Sequence, residues 1–188
     1  MRITGGTLGG RKLSPPKGND IRPTSDRLRL AIFNMLESRL DFADICAADM
    51  FCGTGALGIE ALSRGARYCY FWDQDPRSLS LSKENLNALN IDGGRYQAKI
   101  GNAAKIMSHS AAAPKLDLAF LDPPYKKDLI LPCIEGLING AWLNKAAWLV
   151  LESEKGGLPN LSHIDAITEE RIKSYGDTDL GLYLYQSE

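Results

Sequence analysis

A doubly wound α/β fold with a mostly parallel, seven-stranded sheet is what the sequence predicts, and three observations carry that prediction. Five short strand-like runs, at 45–51, 68–72, 96–100, 116–121 and 146–152, alternate with stretches of helical character. Such alternation implies parallel strands joined by crossover helices. A glycine turn, Gly53-Thr54-Gly55, links the first run directly to a helix, and the first four runs each end in a polar side chain: Asp49, Asp73, Asn102 and Asp122. The last two runs, 166–174 and 181–185, have only the turn-rich Tyr175-Gly176-Asp177-Thr178-Asp179 between them. No helix fits there, so they are expected to form a C-terminal antiparallel hairpin that closes the sheet.

Each element follows from local signals. Residues 1–21 are rich in Gly, Pro and basic side chains. Residues 2–4 and 11–13 either pair as a small hairpin across TGGTLGG or form an extended arm. Thr24 or Ser25 can cap a helix whose Leu28, Ala31, Ile32, Met35 and Leu36 fall on one face, with Arg27 and Arg29 off its centre. Residues 1–40 are therefore expected to be a basic N-terminal arm and docking helix, small beside the main domain at 41–188. In that domain, Gly53 and Gly55 permit a tight turn and close approach to a ligand. Gly58 lets the helix at 56–64 pack on its strand. The N-terminus of that helix presents unpaired N–H groups to the crevice. Asp75 caps the next helix with Pro76 at its first position, running to about residue 89. A short helix is expected at 103–110 and another at 129–139.

Composition bounds the rest. At 188 residues with 44% hydrophobic and 24% charged, the chain suits one domain with a small appendage. No apolar run approaches the ~20 residues of a membrane span, so no membrane partner is expected. The opening MRITGGTLGGRKL lacks the apolar segment of a secretory signal. Cys46, Cys52, Cys69 and Cys133 show no C-x-x-C spacing, which suggests reduced, mostly buried thiols and a cytoplasmic protein. His109 and His163 are isolated, so no metal site is expected. The net charge of −1 hides an asymmetry: residues 1–40 hold eight basic and three acidic side chains, a net of +5, leaving −6 for the remainder. A basic segment on an acidic body suggests a polyanionic partner.

In an open α/β sheet the ligand crevice lies beyond the carboxyl ends of the strands. Gly53, Gly55 and Gly58 with Asp73 beyond them also spell the dinucleotide fingerprint, so an NAD enzyme is a rival. Asp49 opposes it, because its carboxylate would face a pyrophosphate. S-adenosylmethionine (SAM), with an ammonium, a sulfonium and no phosphate, suits that place better. Asp73 could accept both ribose hydroxyls, and Asn102 could bond the adenine edge. Asp122-Pro123-Pro124-Tyr125 is the sharpest signal. Two prolines stiffen a strand end and leave their carbonyls free to accept. Asp122 and the Pro123 carbonyl can take both protons of an exocyclic amine and aim its lone pair at a methyl donor. Tyr125 can stack on the base, worth roughly 1–3 kcal/mol.

With RITGGTLGGRKL, IRPTSDRLRLAIFNML, DMFCGTGALGIEALSRGA, FLDPPY and VLESE in order, nearly the whole chain resembles the small-subunit rRNA guanine-N2 methyltransferase D family, within the class I SAM-dependent methyltransferases. The resemblance implies a Rossmann-like SAM domain at 41–188, with Asp49, Phe51, Gly53, Thr54, Gly55, Asp73, Asn102 and Ala103 around the cofactor. It implies Asp122, Pro123, Pro124 and Tyr125 around a guanine of 16S rRNA, presented by the small ribosomal subunit or an assembly intermediate. Asn102 departs from the wider pattern, where Asp is commoner, and implies a weaker polar contact there. Arg11, Lys12 and Arg22 are the candidates for RNA phosphate contacts, and the chain is expected to act as a monomer. Two alternatives stay open: an adenine-N6 DNA methyltransferase, since the same motif serves either amine, and a non-enzymatic ribosome-assembly factor that binds RNA through the arm.

Overall fold

The computed structural model describes residues 1–16, 25–103, 105, 114–124 and 128–186. Seven strands form one sheet: β1 (Cys46–Asp49), β2 (Tyr68–Asp73), β3 (Tyr96–Ile100), β4 (Leu116–Leu121), β5 (Leu143–Glu154), β6 (Ile167–Tyr175) and β7 (Thr178–Tyr185). Their order is β3-β2-β1-β4-β5-β7-β6, with β5·β7 and β6·β7 antiparallel and the other pairs parallel. The strand order reverses between β1 and β4, which opens the ligand crevice of a doubly wound sheet there. The expected hairpin is present, but it folds back so that β7, not β6, pairs with β5. The fifth strand is longer than its apolar run because a bulge lets it continue past irregular backbone. Leu116 pairs with Leu143 but Leu118 with Trp148, and Ala146 takes a φ of +63° in between.

The helices are α1 (Asp26–Glu37), α2 (Ala56–Arg64), α3 (Pro76–Ala88) and α4 (Ile130–Asn139). Ser25 caps α1, its Oγ accepting from the Leu28 N–H at 3.2 Å, and Asp75 caps α3 through the Arg77 N–H at 2.8 Å. The short helix expected at 103–110 lies mostly outside the described residues; Ala103 and Lys105 are helical.

Of the two forms open to the N-terminus, the hairpin is the one adopted. The Ile3 N–H donates to the Arg11 carbonyl at 2.9 Å, and the Leu13 N–H to that of Met1 at 3.1 Å. Ile3 and Leu13 are buried in the same core as Leu28, Ile32, Phe33 and Leu36 of α1 and the inner face of α2. The buried face of α1 is rotated from the expected stripe. Arg29 and Phe33 lie inside it, and Ala31 and Met35 are only partly covered. Arg29 tolerates full burial because Glu60 of α2, itself fully buried, accepts from its Nε at 3.3 Å. The Glu60 carboxylate also takes the Thr4 N–H at 2.8 Å and the Thr4 hydroxyl at 2.7 Å. The arm, α1 and α2 thus meet on one carboxylate. All four cysteines are free and buried.

Candidate active site

A cavity of about 1000 Å³ opens at the carboxyl edge of the sheet, over the β1–β4 switch point. Register explains its floor. Asp49 stands beside Phe71 on one side and Phe120 on the other, and Phe120 beside Val150. Side chains alternate along a strand. Asp73, Asp122 and Glu152, each two residues past one of those three, therefore share a face with Asp49. Four acids from β2, β1, the end of β4 and β5 line one cavity.

Asp49 is 2% exposed, and its Oδ2 accepts the Gly58 N–H at 3.0 Å, inside the first turn of α2. Burial pushes its carboxyl up to about 7, and the charges of Asp122 and Asp73 add to the rise. Asp73 accepts at both oxygens, from Gly53 N–H at 3.0 Å and Asp75 N–H at 2.8 Å, and burial raises its carboxyl as well. The Gln74 N–H also donates to this carboxylate, and its two oxygens offer about four lone-pair positions in all, so room remains for a ligand hydroxyl. The turn needs its glycines. Gly53 and Gly55 have φ of +52° and +79°. A Cβ on Gly58 would lie 2.4 Å from Phe71 Cε1 and 2.8 Å from Cys69 Sγ, so only glycine brings α2 down onto β2 at that point.

Of the cofactor residues expected from sequence, Asp49, Phe51, Gly53, Thr54 and Asp73 line the cavity. Gly55 sits just behind them as the N-cap of α2. Asn102 and Ala103 are not among the lining residues. The Asn102 side chain instead accepts the Lys105 N–H at 3.3 Å, and Ala103 is buried in the core. Asp122, Pro123 and Pro124 line the cavity opposite the glycine turn. Tyr125 and Arg22 lie outside the described residues. Arg11 and Lys12 are exposed on the hairpin, away from the lining, with Arg11 Nη2 3.4 Å from the Ala88 carbonyl.

The rest of the wall was not assigned from sequence. The start of α1 contributes Ser25, Arg27 and Leu28, and the β6–β7 hairpin contributes Lys173, Tyr175 and Thr178. The turn at Gly176 was visible as a turn, but nothing local says that it folds over a ligand crevice. Among the described residues, the cations that reach the cavity are Arg27, Arg77 and Lys173. Arg77 pairs with Asp75 at 2.9 Å, and Lys173 Nζ lies 5.1 Å from the Tyr175 ring centre.

A floor of four carboxylates suits a cationic, phosphate-free ligand and disfavours a dinucleotide pyrophosphate. It also provides bonded acceptors for an amine. Among the described residues no cluster of His, Cys, Asp or Glu is placed to hold a metal ion, and no helix is long and apolar enough to cross a membrane.

The family described as Conserved hypothetical protein 95 matches residues 1–184. The chain is 32% identical to the Putative rRNA methyltransferase YlbH of Bacillus subtilis, covering 97% of this chain and 98% of that one. It is also 32% identical to Ribosomal RNA small subunit methyltransferase D of Escherichia coli K12, covering 100% and 90%. Among solved structures, the putative methyltransferase yhhF from Escherichia coli superposes with a TM-score of 0.86 at 31% identity, covering 100% of this chain and 99% of that one.

Proposed function

Since the chain belongs to the ribosomal RNA small subunit methyltransferase D family, we propose that it moves a methyl group from SAM to the exocyclic N2 amine of a guanine in 16S rRNA. The observation that supports this most is the shared cavity. Asp122 and Pro123, suited to an amine, face Asp49 and Asp73, suited to a cationic donor.

The donor set fits SAM. Asp49 holds the amino-acid ammonium, and Asp73 the ribose hydroxyls. Phe51, Thr54 and the Gly53–Gly55 turn flank them. Bound SAM supplies a methyl group on a sulfonium. Asp122 and the Pro123 carbonyl accept the two amine protons, which turns the nitrogen lone pair out of the base plane and along the line of transfer. Transfer of that methyl would leave the S–C bonding pair with the donor and a positive charge on the amine nitrogen. The amine proton becomes acidic only then, so Asp122 can pass it to water without being a strong base. The enzyme contributes position and preorganised charge. Tyr125 stacks on the base, which must leave its helix to enter, as a loop nucleotide does most easily. Arg11, Lys12 and Arg22 hold flanking phosphates. The chain works on the small subunit or an assembly intermediate, as a monomer in the cytoplasm.

The test compares methylated nucleosides of 16S rRNA from cells with and without the gene. Loss of N2-methylguanosine at one position is expected, and no change there would refute the reading. Asp122→Ala should lower kcat by about 100-fold or more while SAM affinity stays near that of the wild type.

A further inference from the structure

We propose that Glu152 reads the ring nitrogen next to the reacting amine and thereby selects guanine over adenine. Glu152 is 6% exposed and lines the cavity. Leu121 pairs with Leu151, so Glu152 on β5 comes level with Asp122 at the end of β4. Neighbouring strands lie about 4.8 Å apart, which puts the two carboxylates within the span of one base edge.

If Asp122 and Pro123 hold the amine, the atom that meets Glu152 is a ring neighbour of the amine-bearing carbon. In guanine the neighbours are N1, which carries a hydrogen, and N3, which carries a lone pair. Only the orientation with N1–H toward Glu152 gives a hydrogen bond, so the same contact also fixes which way the base lies. In adenine, with its N6 amine in the same grip, N1 offers a lone pair and the C5–N7 side offers another acceptor. A carboxylate finds no donor in either orientation. Enzymes that extrude a base read it by hydrogen bonds to this edge, and a buried polar group left facing the wrong partner is costly. The assignment does not need Glu152 to lack other contacts, because a carboxylate has about four lone-pair positions.

This inference rests on the proposed guanine-N2 reaction, and the experiment separates the two. Once the modified position is mapped, small subunits are reconstituted with either guanine or 2-aminopurine there. The analogue keeps the amine on C2 but has a lone pair at N1. Wild-type protein should prefer guanine. Glu152→Gln can turn its amide N–H toward a bare N1, so its kcat/KM should fall on guanine and rise on 2-aminopurine, each by about 10- to 100-fold. Glu152→Asp keeps a carboxylate and should keep the preference for guanine at a lower rate. SAM affinity and thermal unfolding of both variants are measured alongside. Because loss of one floor charge can weaken SAM equally for either substrate, the assignment is read only from the ratio of kcat/KM on guanine to that on 2-aminopurine. If Glu152→Gln slows both substrates by the same factor, or changes neither, Glu152 does not read N1 and the assignment falls alone. If wild-type protein methylates no small-subunit guanine, the underlying reaction falls and takes the assignment with it.

Discussion

Asp49 shows how one buried carboxylate ties the fold to the ligand. Its bond to the Gly58 N–H anchors α2 where Gly55 offers no side-chain cap. The same burial, with Asp73 and Asp122 facing it, lifts its carboxyl to about 7. The folded protein without ligand therefore holds a proton there that the unfolded chain has lost above about pH 4. Stability from this group is greatest at low pH and is lost as the pH rises through about 7. A bound cation reverses the preference and expels the proton. SAM affinity should thus rise with pH up to about 7 and then level off. Calorimetry at pH 6.5 in buffers of different ionisation enthalpy should give different apparent heats, and Asp49→Asn should remove most of the difference. Heats independent of buffer would mean that no cation settles beside Asp49. The glycine turn and Asp49 were legible in the sequence because their spacing is local. The raised carboxyl was not, because it comes from strands that meet only in the fold.

The N-terminal hairpin and α1 act as a strap whose buckle is Glu60. That one carboxylate holds Arg29 of α1 and Thr4 of the arm, and it pairs with Arg64 at 3.0 Å. Removing it strips Thr4 and Arg64 of an acceptor and leaves buried Arg29 to the half-exposed Asp26, 2.7 Å away. Glu60→Ala should lower stability by roughly 3–5 kcal/mol, read from urea unfolding. A loss below about 1 kcal/mol, typical of an exposed pair, would show the arm and α1 docking by apolar contact alone. The helix was legible from its apolar stripe. The burial of Arg29 was not, since its partner is 31 residues away and a stripe of apolar residues carries no sign of a charge inside it. The β6–β7 hairpin was foreseen as a sheet edge for the same reason that its second role was hidden. Turn chemistry announces a hairpin, and only the packing says what the turn covers.

Across the whole molecule the charge is divided, +5 over residues 1–40 and −6 over the rest, while the cavity floor is acidic. Holding a polyanion at that cavity falls to basic side chains around it. Arg11 and Lys12 stay exposed although the backbone between them and Ile3 is bonded into the strap. Replacing both with Ala removes charge without touching those backbone bonds. The double variant should bind rRNA more weakly, with a slope of log affinity against log salt shallower by about 1.4 if each meets a phosphate. Melting temperature and SAM affinity should stay at wild-type values. A melting temperature that falls while the slope holds would make the hairpin a structural strap only.

The sequence by itself determined the alternation of strands and helices, the glycine turn, and the acids that end β1, β2 and β4, because each is written within a few residues. Tertiary structure decided the order that puts β7 between β5 and β6, the burial of Arg29 on Glu60, and the place of Glu152 and the hairpin turn in the cavity wall. Those depend on which distant strands and helices pack together, and a hydrophobic pattern states only that a face is buried, not against what.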